Sequence, residues 1–350
     1  MRKKLLIPIL MLVTLLTACS AEQEVLDGRT FALDTLIELK IYQYNKKDSD
    51  TLIQDSFDWI RSLENTLSMH VEGSDVSNLN QSAGIKPVKV SDLTYRVLKD
   101  SLFFSEKTGG LFDVTTGPLI DLWAIDPPNG HYPSQAELDA VLPLIDYHKM
   151  QFLDDDQIEL QDKGMVVNLG AIAKGTIADE VKTYLLNRGV TSALINLGGN
   201  VLAVGSKPDG SSFVIGIQDP NSPIGDYLMS LQIDDESVVS SGDYERYFVY
   251  NGKIYHHILN PKTGFPADTN IKQVTIVTKN SQKADGLSTS VLLLGVKKGI
   301  ELVESLDGVE AILISKDHYI YFTEGLRGKY ETQSSLIGNY KITDQLSDLY

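Results

Sequence analysis

The chain has a single cysteine among 350 residues, Cys19, so no disulfide can form within it. The domain must therefore be held by its hydrophobic core alone, although the surroundings of that cysteine point to an oxidising compartment. Arg2, Lys3 and Lys4 precede an apolar run from Leu5 to Leu16. That run is too short for a bilayer core, which needs about 20 residues, and it reads as the h-region of a signal peptide. It ends in Leu16-Thr17-Ala18-Cys19, the pattern of a bacterial lipobox, in which the cysteine is lipidated and becomes residue one. Residues 1–18 are thus assigned to a lipoprotein signal peptide and 19–29 to a polar tether. Residues 30–340 form the folded domain, exported and anchored to the cell membrane through Cys19. The alternative is a signal peptide cut elsewhere, with Cys19 incidental.

Loss of residues 1–18 removes three basic residues and no acidic one, taking the formal charge from -16 to -19. So acidic a chain lacks the basic face that nucleic acid requires. It is equally unsuited to electrostatic docking on anionic lipid, which leaves the lipid at Cys19 as the membrane contact.

Hydrophobic spacing predicts the elements. Leu36–Tyr44 alternates like a strand, whereas Leu52–Leu67 and Leu93–Thr108 carry apolar residues at helical spacing, the second stopped by Gly109-Gly110. Ser134–Val141 reads as a short capped helix, Val166–Leu169 as an apolar strand and Ile177–Arg188 as a helix closed by Gly189. Strands are expected at 193–197, 213–217, 228–233, 238–240, 247–249, 273–278, 311–315 and 320–323, with one helix, Ala284–Leu294, among them. Adjacent strands with separate helices favour an α+β fold, one compact domain with room for two subdomains.

Three segments could carry chemistry. Asn168-Leu169-Gly170-Ala171-Ile172-Ala173-Lys174-Gly175 joins strand to helix, with glycines for close approach, free helix-start amides and a lysine. It fits a phosphate cradle or a plain turn, and its glycine spacing matches neither Walker A nor the dinucleotide fingerprint. In Ala284-Asp285-Gly286-Leu287-Ser288-Thr289, a carboxylate and a hydroxyl four residues apart share a helix face. With a backbone carbonyl they would suit Mg²⁺; helix capping would explain them without a metal. Third, His256 and His257 follow the Ser240–Tyr244 turn on an extended segment, so they face opposite ways and at most one enters a given site. No cysteine or third histidine lies near enough to suggest zinc.

In order, the chain shows Phe31-Ala32-Leu33-Asp34-Thr35, Leu67-Ser68-Met69-His70 with Asn80, Phe112 to Leu119, the Asn168 cradle, Asn196-Leu197-Gly198-Gly199-Asn200, Ser241 to Tyr244, His257-Ile258 and Ala284 to Thr289. This series closely resembles the ApbE family of FAD:protein FMN transferases, over roughly residues 30–325. The resemblance implies an ApbE-like, T-fold-like domain and an Mg²⁺-dependent enzyme. FMN would pass from FAD to a threonine or serine hydroxyl of an exported acceptor protein, releasing AMP. It also implies Mg²⁺ ligands at the Ala171 carbonyl, Asp285 and Thr289. Flavin and adenosine contacts would fall at Leu33, His70, Leu111, Phe112, Asp113, Asn168, Lys174 and Leu259, and His257 would assist proton transfer, with Asp285 catalytic as a metal ligand.

Some positions depart from the commonest family pattern. Asn168 stands where aspartate is usual, Leu33-Asp34-Thr35 replaces Met-Gly-Thr, and His70 sits where many members have tyrosine. Family acceptors carry a Ser/Thr-Gly-Ala-Ser/Thr segment; this chain has none, which argues against self-modification. Two other functions use the same residues. An FAD pyrophosphatase would let water replace the threonine, and a non-enzymatic flavin-binding lipoprotein would need no cleavage.

Overall fold

The computed structural model describes residues 24–349 except 46, 48, 126–128, 224 and 344. The signal segment, Cys19 and the first part of the tether lie outside the described residues. The frame is a nine-stranded sheet whose strands follow one another in space as in sequence: β1 (Leu26–Ala32), β2 (Thr35–Gln43), β3 (Ser192–Leu197), β4 (Asn200–Val204), β5 (Ser237–Gly242), β6 (Ile271–Thr278), β7 (Val309–Ser315), β8 (Tyr319–Phe322) and β9 (Lys341–Thr343). Every neighbouring pair is antiparallel except β8 with β9. Antiparallel neighbours separated by inserted helices are what an α+β chain requires.

Alternation decides which face is covered. Ile37, Leu39 and Ile41 of β2 are fully buried, while Glu38 and Lys40 point the other way and pair with Arg29 and Asp27 across the strand. The buried face carries the helices α1 (Ser49–Leu67), α2 (Asp92–Lys107), α3 (Ala173–Asn187), α4 (Ser281–Leu294) and α5 (Val296–Glu304), joined in one large core. Over the second half of the sheet, the opposite face packs on a small three-stranded sheet (Phe213–Gln218, Tyr227–Ile233, Tyr330–Thr332). Phe213, Leu231, Ile312 and Phe322 meet between the two sheets. A third cluster surrounds Trp123, whose indole N–H donates to Gly264 O at 2.7 Å.

Both ends of the domain run past the expected limits. Leu26–Arg29, assigned to the tether, begin β1 and pair with Glu38–Ile41. Past residue 340, β9 adds to the sheet and Leu349 is fully buried. Val166–Leu169 is extended but is no sheet strand. Its partner is a short loop, which it meets through one bridge to Thr116 and the bond from Asn168 N to Val114 O at 2.7 Å, before Gly117 opens a helix. Helix α3 starts at Ala173 rather than Ile177, and α4 at Ser281 rather than Ala284. The helix expected there ends at Leu294 as the spacing predicts, but a second one that the sequence reading missed, α5, follows directly across Gly295, whose φ of 77° favours glycine. Short helices Asp75–Gln81 and Gly117–Trp123 also escaped the periodicity, being too brief for it to register.

Candidate active site

Helices α3 and α4 cross so closely that a Cβ on Gly175 would lie 2.3 Å from Ser281 O and 2.7 Å from the Asp285 Cβ. Only glycine permits that approach. The contact lets each helix cap the other. Ile172, at the N-cap of α3, offers no side-chain acceptor, and the orphan amide of Gly175 donates instead to Asp285 Oδ2 at 2.8 Å. In return, Asp179 of α3 accepts from Ser281 N and Gln282 N of α4, both at 2.9 Å. Asn280 completes that second cap by accepting from Lys283 N at 2.6 Å. The capping explanation for Asp285 is thus half true, but the helix it caps is not its own.

The Lys174 amide, another orphan of the α3 N-terminus, donates to nothing among the described residues, and the Ala171 carbonyl accepts nothing. Asp285 is buried and its second oxygen, Oδ1, is not engaged in any hydrogen bond among the described residues. One turn along α4, Ser288 and Ser290 return hydrogen bonds to upstream carbonyls, whereas the half-buried Thr289 makes none among the described residues. Burial pushes the Asp285 carboxyl up; the Lys174 ammonium and the Gly175 amide pull it back. A buried carboxylate, a carbonyl and a hydroxyl around one helix N-terminus make an all-oxygen donor set that fits a hard divalent cation such as Mg²⁺. No cluster of three or more His, Cys, Asp or Glu exists among the described residues. A cation here would therefore draw on backbone and hydroxyl oxygen as well as Asp285.

Lys174 also influences His257 and Glu245, so these groups surround one positive charge. A hairpin, Tyr247–Tyr250 with Lys253–His256, leaves the Glu245-Arg246 corner and returns to His257. There His257 N donates to Arg246 O at 3.0 Å, and Nδ1 lies 3.2 Å from the same oxygen. A carbonyl can only accept, so Nδ1 carries the proton and Nε2 keeps its lone pair. Burial, then the Arg246 guanidinium, with His256 and Lys174 adding to it, push this imidazole down to about 3. His256 faces the other way and is fully used: Nε2–H donates to Ala267 O at 3.0 Å and Nδ1 accepts from Ile258 N at 3.3 Å. Glu245 reaches solvent, while the protein around its carboxyl raises it and Lys174, then Arg246, oppose that. Sequence reasoning stopped at Tyr244 and missed Glu245 and Arg246, whose one signal was their place directly after that turn.

The remaining predicted contacts divide. Leu33 turns the β1–β2 corner with φ 54°, half-buried, its amide on Glu64 Oε1 at 2.9 Å. His70 is exposed near Asp121. Asn168 links the two regions, donating to Met69 Sδ at 3.0 Å and accepting from Gly170 N at 2.7 Å. Leu111 packs half-buried against the main core. The Phe112 ring is buried with its centroid 5.2 Å from that of Phe104, and the Leu259 side chain is buried in the Trp123 cluster. Asp113 also organises its loop: its oxygens accept from Thr115 N and Oγ1 at 2.8 and 2.7 Å and from Tyr147 N at 3.0 Å. Burial raises its carboxyl against those bonds.

Known proteins place the chain. A family model described as the ApbE family matches residues 33–313. The FAD:protein FMN transferase of Klebsiella pneumoniae is 34% identical over 310 residues, covering 88% of this chain and 94% of that protein. Its counterpart in Treponema pallidum is 32% identical over 84% of this chain and 85% of its own length. Among solved structures, the ApbE protein of Thermotoga maritima superposes with a TM-score of 0.80 at 29% identity, over 87% of this chain and 99% of that one. The flavin transferase ApbE of Vibrio cholerae gives 0.77 at 26%, over 87% and 98%. A model spanning most of the domain, and relatives matched along nearly their whole length, make this chain a member of the ApbE family.

Proposed function

We propose that this protein is an FAD:protein FMN transferase that moves FMN from FAD to a hydroxyl of an acceptor protein. The observation that carries the reading is the convergence at the α3 N-terminus of Ala171 O, the free Lys174 amide and ammonium, and the Asp285 carboxylate. An anion gains there from unpaired amides, the helix dipole and a lysine. FAD is a pyrophosphate, and its phosphates suit that position. Asp285, Thr289 and Ala171 O would hold Mg²⁺, which neutralises charge developing on the phosphates when it is bound. His257 Nε2 takes the proton of the attacking threonine or serine hydroxyl. The new bond joins that oxygen to the FMN-side phosphorus, the pyrophosphate P–O bond breaks, and AMP leaves with the electron pair. Lys174 orients the phosphates, and the Arg246 carbonyl fixes the tautomer of His257. Asn168, which ties the cradle to Met69 beside His70, would supply flavin or adenosine contacts together with Leu33, His70, Leu111, Phe112, Asp113 and Leu259.

We further propose that the domain is exported and anchored by lipid at Cys19, which the lipobox pattern supports. The reaction is tested by incubating the protein with FAD, Mg²⁺ and an acceptor bearing a Ser-Gly-Ala-Thr segment. AMP release coupled to an acceptor gaining the mass of FMN is expected, and chelation should abolish both. AMP and free FMN with no acceptor modification would instead identify a pyrophosphatase. FAD binding without AMP would leave only a flavin carrier.

A further inference from the structure

The helix-free face of the main sheet is left open at one corner. Among the described residues, Tyr42 is the apolar β2 side chain that packs on the small sheet, its ring centroid 5.5 Å from that of Phe213. Six positions back along β2, about 20 Å away, Leu36 is 50% exposed and pairs directly with Phe31 of β1, which is 71% exposed. The strand turn beside Leu36 adds no side chain to cover it, since the amide that meets Leu36 O, at 3.1 Å, belongs to Gly198. On its other flank β1 is the border of the sheet, so the apolar pair projects from an edge. The same face then carries two ion pairs, Arg29 with Glu38 at 2.7 Å and Lys40 with Asp27 at 3.8 Å, whose charges cancel. On a chain of formal charge -16, this patch is neutral.

Chain length says what lies against it. Seven positions separate Cys19 from Leu26, where β1 begins, so a lipid on that cysteine keeps the start of β1 within about 25 Å of the bilayer even if the intervening chain were fully extended. The sheet therefore meets the membrane first along β1. A tether this short holds the corner at an effective concentration on the order of millimolar, at which a contact too weak to recruit a free protein is made most of the time. Acidity rules out electrostatic attraction to lipid, so the contact must be apolar, and a neutral face spares it the repulsion met elsewhere on the surface. We propose that Phe31 and Leu36 insert into the interfacial layer of the anchoring membrane and seat the domain on its β1 border, an inference that rests on the lipid at Cys19 proposed above.

The test uses the full chain, processed in a bacterial host and reconstituted into phosphatidylcholine vesicles whose acyl chains are plain or brominated, bromine being a short-range quencher of tryptophan. Trp123 is fully buried and Trp59 half-buried, so the unsubstituted protein sets the background. Phe31→Trp and Leu36→Trp should each shift their emission to the blue on reconstitution and lose intensity in brominated vesicles. Ile342→Trp, 44% exposed on β9 at the opposite border, should keep its full emission. A second readout needs no change at the corner: amide exchange over residues 30–37 of the unsubstituted protein should be slower on vesicles than in soluble Cys19→Ser protein. The proposal is overturned if neither corner tryptophan is quenched above background, if Ile342→Trp is quenched as strongly, if quenching requires anionic lipid, or if exchange at the corner is the same in both forms. The mass of the mature chain is read first. A chain without lipid on Cys19 would defeat the anchoring reading itself, and this proposal with it.

Discussion

Asp285 holds two jobs that substitution can separate. Asp285→Ala removes both the metal ligand and the acceptor for Gly175 N, leaving a buried amide without its partner; that costs about 1–3 kcal/mol of stability. Asp285→Asn keeps a carbonyl oxygen for the amide and removes a carboxyl whose burial opposes its charge, so its stability without metal should stay within about 1 kcal/mol of the original. Neither variant should respond normally to Mg²⁺. Bound at a hundred times its Kd, a metal adds about 2.7 kcal/mol to the native state, an increment that the Asn variant should lose. Thermal melts with and without Mg²⁺, paired with AMP release from FAD, resolve all three proteins. The expected pattern is normal apo stability for Asn, lowered stability for Ala, and turnover largely lost in both. A folded Asn variant that keeps its Mg²⁺-induced stabilisation or its turnover would refute the shared-carboxylate argument.

Gly175→Ala should be severely destabilising, because its methyl would meet Ser281 O and the Asp285 Cβ and force α3 from α4; a melt close to the original would show that the crossing is looser than described. His257→Ala should slow AMP release about 10²–10⁴-fold while sparing FAD affinity. His256→Ala should mainly lower the melting temperature, since Ala267 O and Ile258 N lose a partner; equal kinetic losses in the two variants would make the segment merely structural. With His257 pushed to about 3, its imidazole is neutral throughout about pH 5–8, so kcat/KM should show no acid limb near 6.5 from this group. Because folding lowers its value, His257 favours the fold fully above 6.5 and progressively less as pH falls towards 3. An acid limb near 6.5 that disappears in His257→Ala would contradict that environment.

The parts of this fold that were legible in the sequence are those governed by local period. Alternation in β2 and the apolar spacing of α1 and α2 each reach the structure with boundaries shifted by a few residues at most. What escaped depends on partners distant in sequence. Nothing near Asp285 indicates that its carboxylate caps a helix 110 residues away, nor does anything near Asp113 announce the Tyr147 amide it accepts. Packing partners are hidden in the same way: nothing around Phe112 in the sequence indicates that its ring fills the space beside Phe104. The orientation of the two histidines, by contrast, followed from strand geometry alone.

Because the nine strands lie in chain order, the first and last of them are the two borders of the sheet. Eight spacings of about 4.8 Å put roughly 38 Å between them. The C-terminal turn does not stay at its border, since Leu349 O accepts from Asn270 Nδ2 at 2.8 Å beside the start of β6. Fluorophores on the exposed Asp27 of β1 and Lys341 of β9 would instead sit on the two borders, within the useful range of resonance energy transfer, so stretching or unravelling of the sheet could be followed while FAD is bound. For the same reason, linking the two border strands directly in a permuted chain would require a linker long enough to cross the sheet.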